Sequence, residues 1–63
     1  MNNENRQELM AFVLDHVKTF GAMPMEFEDS SGKVWTYDEY INEIKNNSVF
    51  MTACNRIIRI VNP

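Results

Sequence analysis

Cysteine occurs once in these 63 residues, at Cys54, and histidine once, at His16. A single cysteine excludes an intramolecular disulfide, so a reducing, cytoplasmic setting is expected. A single histidine with no cysteine at ligand spacing falls short of the three or four ligands of a zinc site. Neither a metal nor another cofactor is expected. Glycine and proline number two each, and the chain holds no phosphate-cradling glycine loop and no nucleophile elbow. It lacks a low-complexity tract, an internal repeat and the room for a solenoid. No apolar run approaches a membrane span and no basic-then-apolar leader opens the chain, so neither membrane insertion nor export is expected. Positive charge is scarce: six Lys and Arg against nine Asp and Glu leave a net charge of −3.

What is present reads as one small globular domain. An apolar fraction of 44% is too high for intrinsic disorder. Yet 63 residues lie close to the size at which a single core is only marginally stabilising, and oligomerisation is the usual supplement. The charge is polarised. Residues 26–43 carry six acids (Glu26, Glu28, Asp29, Asp38, Glu39, Glu43) against Lys33, a balance of −5, whereas residues 44–63 carry Lys45, Arg56 and Arg59 with no acid, a balance of +3. That pattern argues against broad duplex-DNA binding, which needs several phosphate contacts from a basic face. It suits a protein partner that is itself basic.

The stretch from Met25 to Ile44 specifies its own structure most completely. Glu26-Phe27-Glu28 and Lys33-Val34-Trp35 alternate polar and apolar residues, the signature of half-buried strands. Asp29-Ser30-Ser31-Gly32 between them has turn chemistry, with Gly32 free to take a left-handed conformation. A hairpin over residues 25–36 follows. Thr36-Tyr37-Asp38-Glu39 then fits a capping box, and Trp35 and Tyr40 are placed for a hydrophobic staple. A helix over 37–46 is expected to bury Tyr37, Tyr40, Ile41 and Ile44. Asp38 and Glu39 in its first turn and Lys45 in its last would suit the helix dipole.

Residues 1–4 are polar and expected to fray. Asn5 to Glu8 (NRQE) offers a weaker capping box. Leu9, Phe12, Val13, Val17 and Phe20, widened by Met10 and Leu14, form a helical stripe over 5–20, stopped by Gly21 and Pro24. Ser48 is a candidate cap for the last segment, 48–61, whose signals conflict. Polar residues at Thr52, Asn55, Arg56, Arg59 and Asn62 follow helical spacing, while Arg56 to Val61 is dense in β-branched residues that favour strands. A two-stranded hairpin also gains from a third strand. The reading leans to a helical start near Ser48 and a strand from Ile57 to Val61, with a helix throughout as the alternative. The fold class is a small α+β domain: a helix, a hairpin, a short second helix and a closing segment.

No constellation here names a reaction, and a non-enzymatic protein is expected. His16 reads as a structural or surface residue. Cys54, in the apolar setting Met51-Thr52-Ala53-Cys54, reads as a small buried hydrophobe rather than a nucleophile. The acids have plain explanations as strand, turn, cap and helix-surface residues, and the turn lacks the ligand pattern of a calcium loop. Met10, Met23, Met25 and Met51 read as core filling. The functional alternative is a recognition surface made of Glu26, Glu28, Asp29, Trp35, Tyr37, Asp38, Glu39, Tyr40 and Glu43, in which amphipathic aromatics of the kind enriched at binding hot spots lie among acids. A homo-oligomeric assembly protein, using an apolar C-terminal segment, is the second reading. A nucleic-acid regulator using Lys45, Arg56 and Arg59 ranks last, three charges being few for that work.

The opening helix ending at Gly21, the connector with Pro24 and the run EFEDSSGKVWTYDEY, over roughly residues 5–45, resemble the short acidic accessory proteins of tailed bacteriophages. That resemblance implies a protein that binds and modulates a host protein. It assigns no functional residue.

Overall fold

The computed structural model describes residues 3–62 of the chain. Helix α1 (Asn3–Phe20) leads into strands β1 (Glu26–Glu28) and β2 (Val34–Thr36), then helices α2 (Tyr37–Ile44) and α3 (Ser48–Val61). The fold is a small α+β domain with one two-stranded antiparallel sheet.

Helix α1 starts earlier than the NRQE box predicts. Asn5 lies inside it, whereas a cap needs non-helical backbone. Glu4, Arg6 and Gln7 are good helix formers, and Glu4 in the first turn suits the dipole. Of the residues expected to fray, Asn3 and Glu4 are helical, and Met1 and Asn2 lie outside the described residues. The helix stops at Gly21, at a positive φ of 69° with its N–H bonded to the Val17 carbonyl at 2.8 Å. The Asn62 amide, from beyond the end of α3, caps the Gly21 carbonyl at 2.6 Å. Thus Gly21 both ends α1 and receives the far end of the chain.

In the hairpin, Phe27 stands opposite Trp35, Glu26 opposite Thr36 and Glu28 opposite Val34. Gly32, at φ 89°, closes the turn by donating to the Asp29 carbonyl at 3.0 Å. The second strand runs Val34–Thr36 rather than 33–35, and the Tyr37 N–H extends the pairing to the Met25 carbonyl at 2.8 Å. Helix α2 begins at the capping box read from the sequence: extended Thr36 accepts from the Glu39 N–H, and the Glu39 carboxylate accepts from Thr36. The helix ends at Ile44, two residues short of expectation, and Lys45 is its C-cap rather than a last-turn residue.

The cap of α3 is Asn47, whose side-chain oxygen accepts from the Phe50 N–H at 2.9 Å, and Ser48 is the first helical residue. The strand from Ile57 to Val61 does not form; the segment is helical to Val61. β-branched residues in a helix lose only tenths of a kcal/mol each relative to good formers. Helical spacing instead places Phe50, Cys54, Ile57 and Ile58 together against the core. Full burial of an Ile or Phe is worth roughly 1.5–3 kcal/mol, so even the half-burial seen here exceeds that loss. Burial therefore outweighs the local preference. In place of a third strand, helices support the hairpin: Trp35 shares one buried cluster with Leu9, Val13 and Val17 of α1, Tyr40 and Ile44 of α2 and Cys54 of α3.

Candidate functional site

Strand parity decides what the hairpin shows to solvent. With Phe27 and Trp35 turned to the core, Glu26, Glu28, Val34 and Thr36 face outward. Val34 is 52% exposed, between Glu28 across the ladder and Thr36 along its own strand. Glu26 and Glu39 flank Thr36, the first by cross-strand pairing and the second by a Thr36 N–H···Oε1 bond of 3.1 Å. Asp38, also exposed, and half-exposed Tyr37 continue the surface into the first turn of α2. The result is an acidic outer face centred on an exposed valine, with Met25 bared at its edge.

Not every expected surface residue lies there. Trp35 and Tyr40 belong to the core, 5% and 0% exposed, because α1 covers the inner face of the hairpin and α2. Tyr40 packs its ring 5.5 Å from both Phe27 and Tyr37 and donates its hydroxyl to the buried Pro24 carbonyl. Trp35 is held from two sides, its indole N–H donating to Asp29 Oδ2 at 2.8 Å and Lys33 Nζ lying 3.8 Å from the ring centroid. Glu43, half-buried, lines a different recess with Arg6, Asn47 and Val49. The sequence reading missed Val34 and Met25 as surface features. Parity could have found the first, since a valine next to an inward tryptophan in a strand must point out.

Asp29 is a structural residue. Its Oδ1 accepts from the Ser31 hydroxyl at 2.6 Å, the Ser31 N–H at 2.9 Å and the Lys33 N–H at 3.1 Å, while Oδ2 takes the Trp35 indole. These bonds, the Ser31 hydroxyl first and the indole next, hold the carboxyl down at about 2. Glu39 is likewise held below the usual carboxylate range, chiefly by the Thr36 N–H. A depressed folded-state pKa contributes stability above the unfolded value, which is lost as pH falls through the folded one. For Asp29 that window runs from 3.8 down to about 2. Asp29→Asn is therefore expected to lower the thermal midpoint at pH 7 and to flatten the acid loss of stability across this window. Circular dichroism melts of both chains between pH 7 and 2 would show it, and parallel acid limbs would refute it.

A recess of about 350 Å³ separates the hairpin loop from the start of α1, and the Ser30 hydroxyl bridges it to Glu8. Asp29, one of its polar lining residues, already accepts four hydrogen bonds from within the hairpin. Cys54 is completely buried, and burial pushes its thiol pKa up, away from the reactive thiolate. His16 stacks on Phe20 at 4.5 Å, with Nδ1 3.1 Å from the Ala22 carbonyl. That oxygen can only accept, so Nδ1 carries the hydrogen. Met10, Met23 and Met51 pack against the core as expected, whereas Met25 is 78% exposed. No described helix is long and apolar enough to cross a membrane.

No protein-family model matches this chain, and no curated protein or solved structure matches it either.

Proposed function

We propose that this chain is a non-enzymatic protein-binding module whose contact surface is the outer face of the hairpin with the first turn of α2. The observation that carries the reading is the exposure of Glu26, Glu28, Asp38 and Glu39 around Val34 and Tyr37, above a tightly held Trp35 and Tyr40. A small apolar centre with a charged rim suits recognition of a partner that offers basic and aliphatic side chains. The partner class is a cytoplasmic protein, and the resemblance to phage accessory proteins points to a bacterial host protein whose activity is modulated by binding.

The test must avoid Glu39, because reversing its charge would break the capping box. Glu26→Lys, Glu28→Lys and Asp38→Lys in one chain alter exposed side chains that make none of the capping-box bonds. The triple variant is expected to keep its helical dichroism and to lose, by at least about tenfold, the capture of host proteins that the wild type retains at low salt. Capture by the wild type should fade towards ~1 M salt, where the Debye length shrinks to about 3 Å. Undiminished capture by the triple variant would overturn the assignment.

A further inference from the structure

The apolar arc of α3 is wider than the rest of the chain covers. Cys54 lies fully buried at its centre and Phe50, Met51, Ile57 and Ile58 are half-buried beside it. Val49 and Ile60 are left 80% and 74% exposed. With Ala53 they follow 3.6-residue spacing along one edge of the helix, a strip about 16 Å long from Val49 to Ile60. Arg56, three residues after Ala53 and four before Ile60, falls on the same line and divides Ile60 from Val49 and Ala53, while Arg59 stands exposed nearby on the polar side. Across Ser48–Val61 there is no acid. An apolar strip carrying Arg56, with Arg59 beside it, is the complement of the hairpin face, where exposed Val34 lies with Glu26 and Glu28 and exposed Asp38 follows in the first turn of α2.

We infer that a second copy of this chain docks its hairpin face on the Val49–Ile60 edge of α3, head to tail. The inference rests on the reading of the hairpin face as a protein contact. Charge selects this geometry over a two-fold pairing of α3 with α3, which would set the Arg56 side chains of two copies towards each other with no acid between them. Head-to-tail docking sets Glu26, Glu28 and Asp38 of one copy against Arg56 and Arg59 of the next. Because α3 packs on α1 while β2 packs on α2, each chain keeps both faces available, and the contact propagates into rings or open chains. Both patches are small, so the interface falls below ~1,200 Å² and association is weak and salt-sensitive.

Sedimentation over a concentration series tests this with two charge-reversed chains, Arg56→Glu/Arg59→Glu and Glu26→Lys/Glu28→Lys. The measurement is made at 0.15 M salt, where the ~8 Å Debye length screens attraction between whole molecules. The wild type is expected to gain mean mass with concentration and to lose it at high salt. Each reversed chain, folded by dichroism, should associate at least about tenfold more weakly. Their equimolar mixture should regain association, because each reversed face then meets an opposite charge. A wild type that stays monomeric overturns the inference, as does an Arg56/Arg59 variant that associates undiminished or a mixture that stays monomeric. If foreign-protein capture is still abolished by the hairpin reversal in those cases, only this contact is lost. If the reversals change neither capture nor mass, the hairpin reading falls with it.

Discussion

Tyr40→Ala is expected to leave much of the chain unfolded at room temperature. Tyr40 is among the largest fully buried side chains and touches three parts of the molecule. Its ring meets Phe27 of β1 and Tyr37 of α2, and its hydroxyl ties α2 to the Pro24 carbonyl in the connector after α1. Removing a buried aromatic ring costs about 3–5 kcal/mol. A domain of this length holds only about 3–9 kcal/mol in total, from the usual 0.05–0.15 kcal/mol per residue. Tyr40→Phe separates the two contributions. It keeps the ring and leaves the Pro24 carbonyl without its partner, a loss of about 1–3 kcal/mol. The hydroxyl also carries a pH signature, since burial raises its pKa well above 10. A raised folded-state value gives stability that is complete below the unfolded pKa near 10 and is lost as pH rises beyond it. The wild type should therefore weaken more steeply than Tyr40→Phe above pH 10. Urea titrations of the three chains at pH 7 and 10.5 would decide it. Midpoints for Tyr40→Phe that track the wild type at both pH values would mean the Pro24 bond contributes nothing.

Tyr40 also shows what local rules carry and where they stop. The capping box at Thr36 and Glu39, the left-handed Gly32 and the stop at Gly21 are decided within a few residues, and all three were legible in the sequence. Whether Trp35 and Tyr40 face water depends on what lies across from them. Here that is Leu9, Val13 and Val17, well away in the chain. Staple geometry fixes the two side chains relative to their own helix and leaves open what covers them. In the closing segment the strand reading fails and the alternative of a helix throughout holds, for a related reason. Its β-branched composition is a local preference of tenths of a kcal/mol, outweighed by burial against α1, a tertiary contribution absent from any window of the sequence. Asn47 and Ser48 are adjacent and both good caps; the choice of Asn47 puts Phe50 at the third helical position. Glu26, Glu28, Asp38 and Glu39 were legible as exposed acids, whereas Glu43 is half-buried. Asp29 was not separable from them, because the indole and amides that claim its carboxylate converge only once the hairpin closes.

The second large effect is expected at Gly21→Ala, with a loss of about 2–5 kcal/mol. Part of it is backbone: at φ 69° an L-residue costs roughly 1–2 kcal/mol. The rest is steric. A Cβ at this position would lie 2.5 Å from Val61 Cγ1 and 3.0 Å from both Val61 Cβ and Asn62 Nδ2. Valine is stiff at χ1 and cannot swing aside freely, so the last turn of α3 must move and the Asn62 bond to the Gly21 carbonyl must stretch. Such overpacking typically costs about 1–3 kcal/mol. Gly32→Ala supplies the control, since Gly32 has a similar positive φ but open space within 4 Å of its Cβ position. Its loss should stay near the backbone cost alone. Adding Val61→Ala to Gly21→Ala removes the 2.5 Å contact and keeps the two at 3.0 Å, so it should recover part of the steric loss and bring the total nearer the Gly32→Ala value. Thermal and urea melts of the four chains make the comparison. Equal losses at the two glycines, with no recovery from Val61→Ala, would mean that the end of α3 yields to the added methyl. In that case the junction of Gly21 with Val61 and Asn62 would not be what fastens the third helix onto the first.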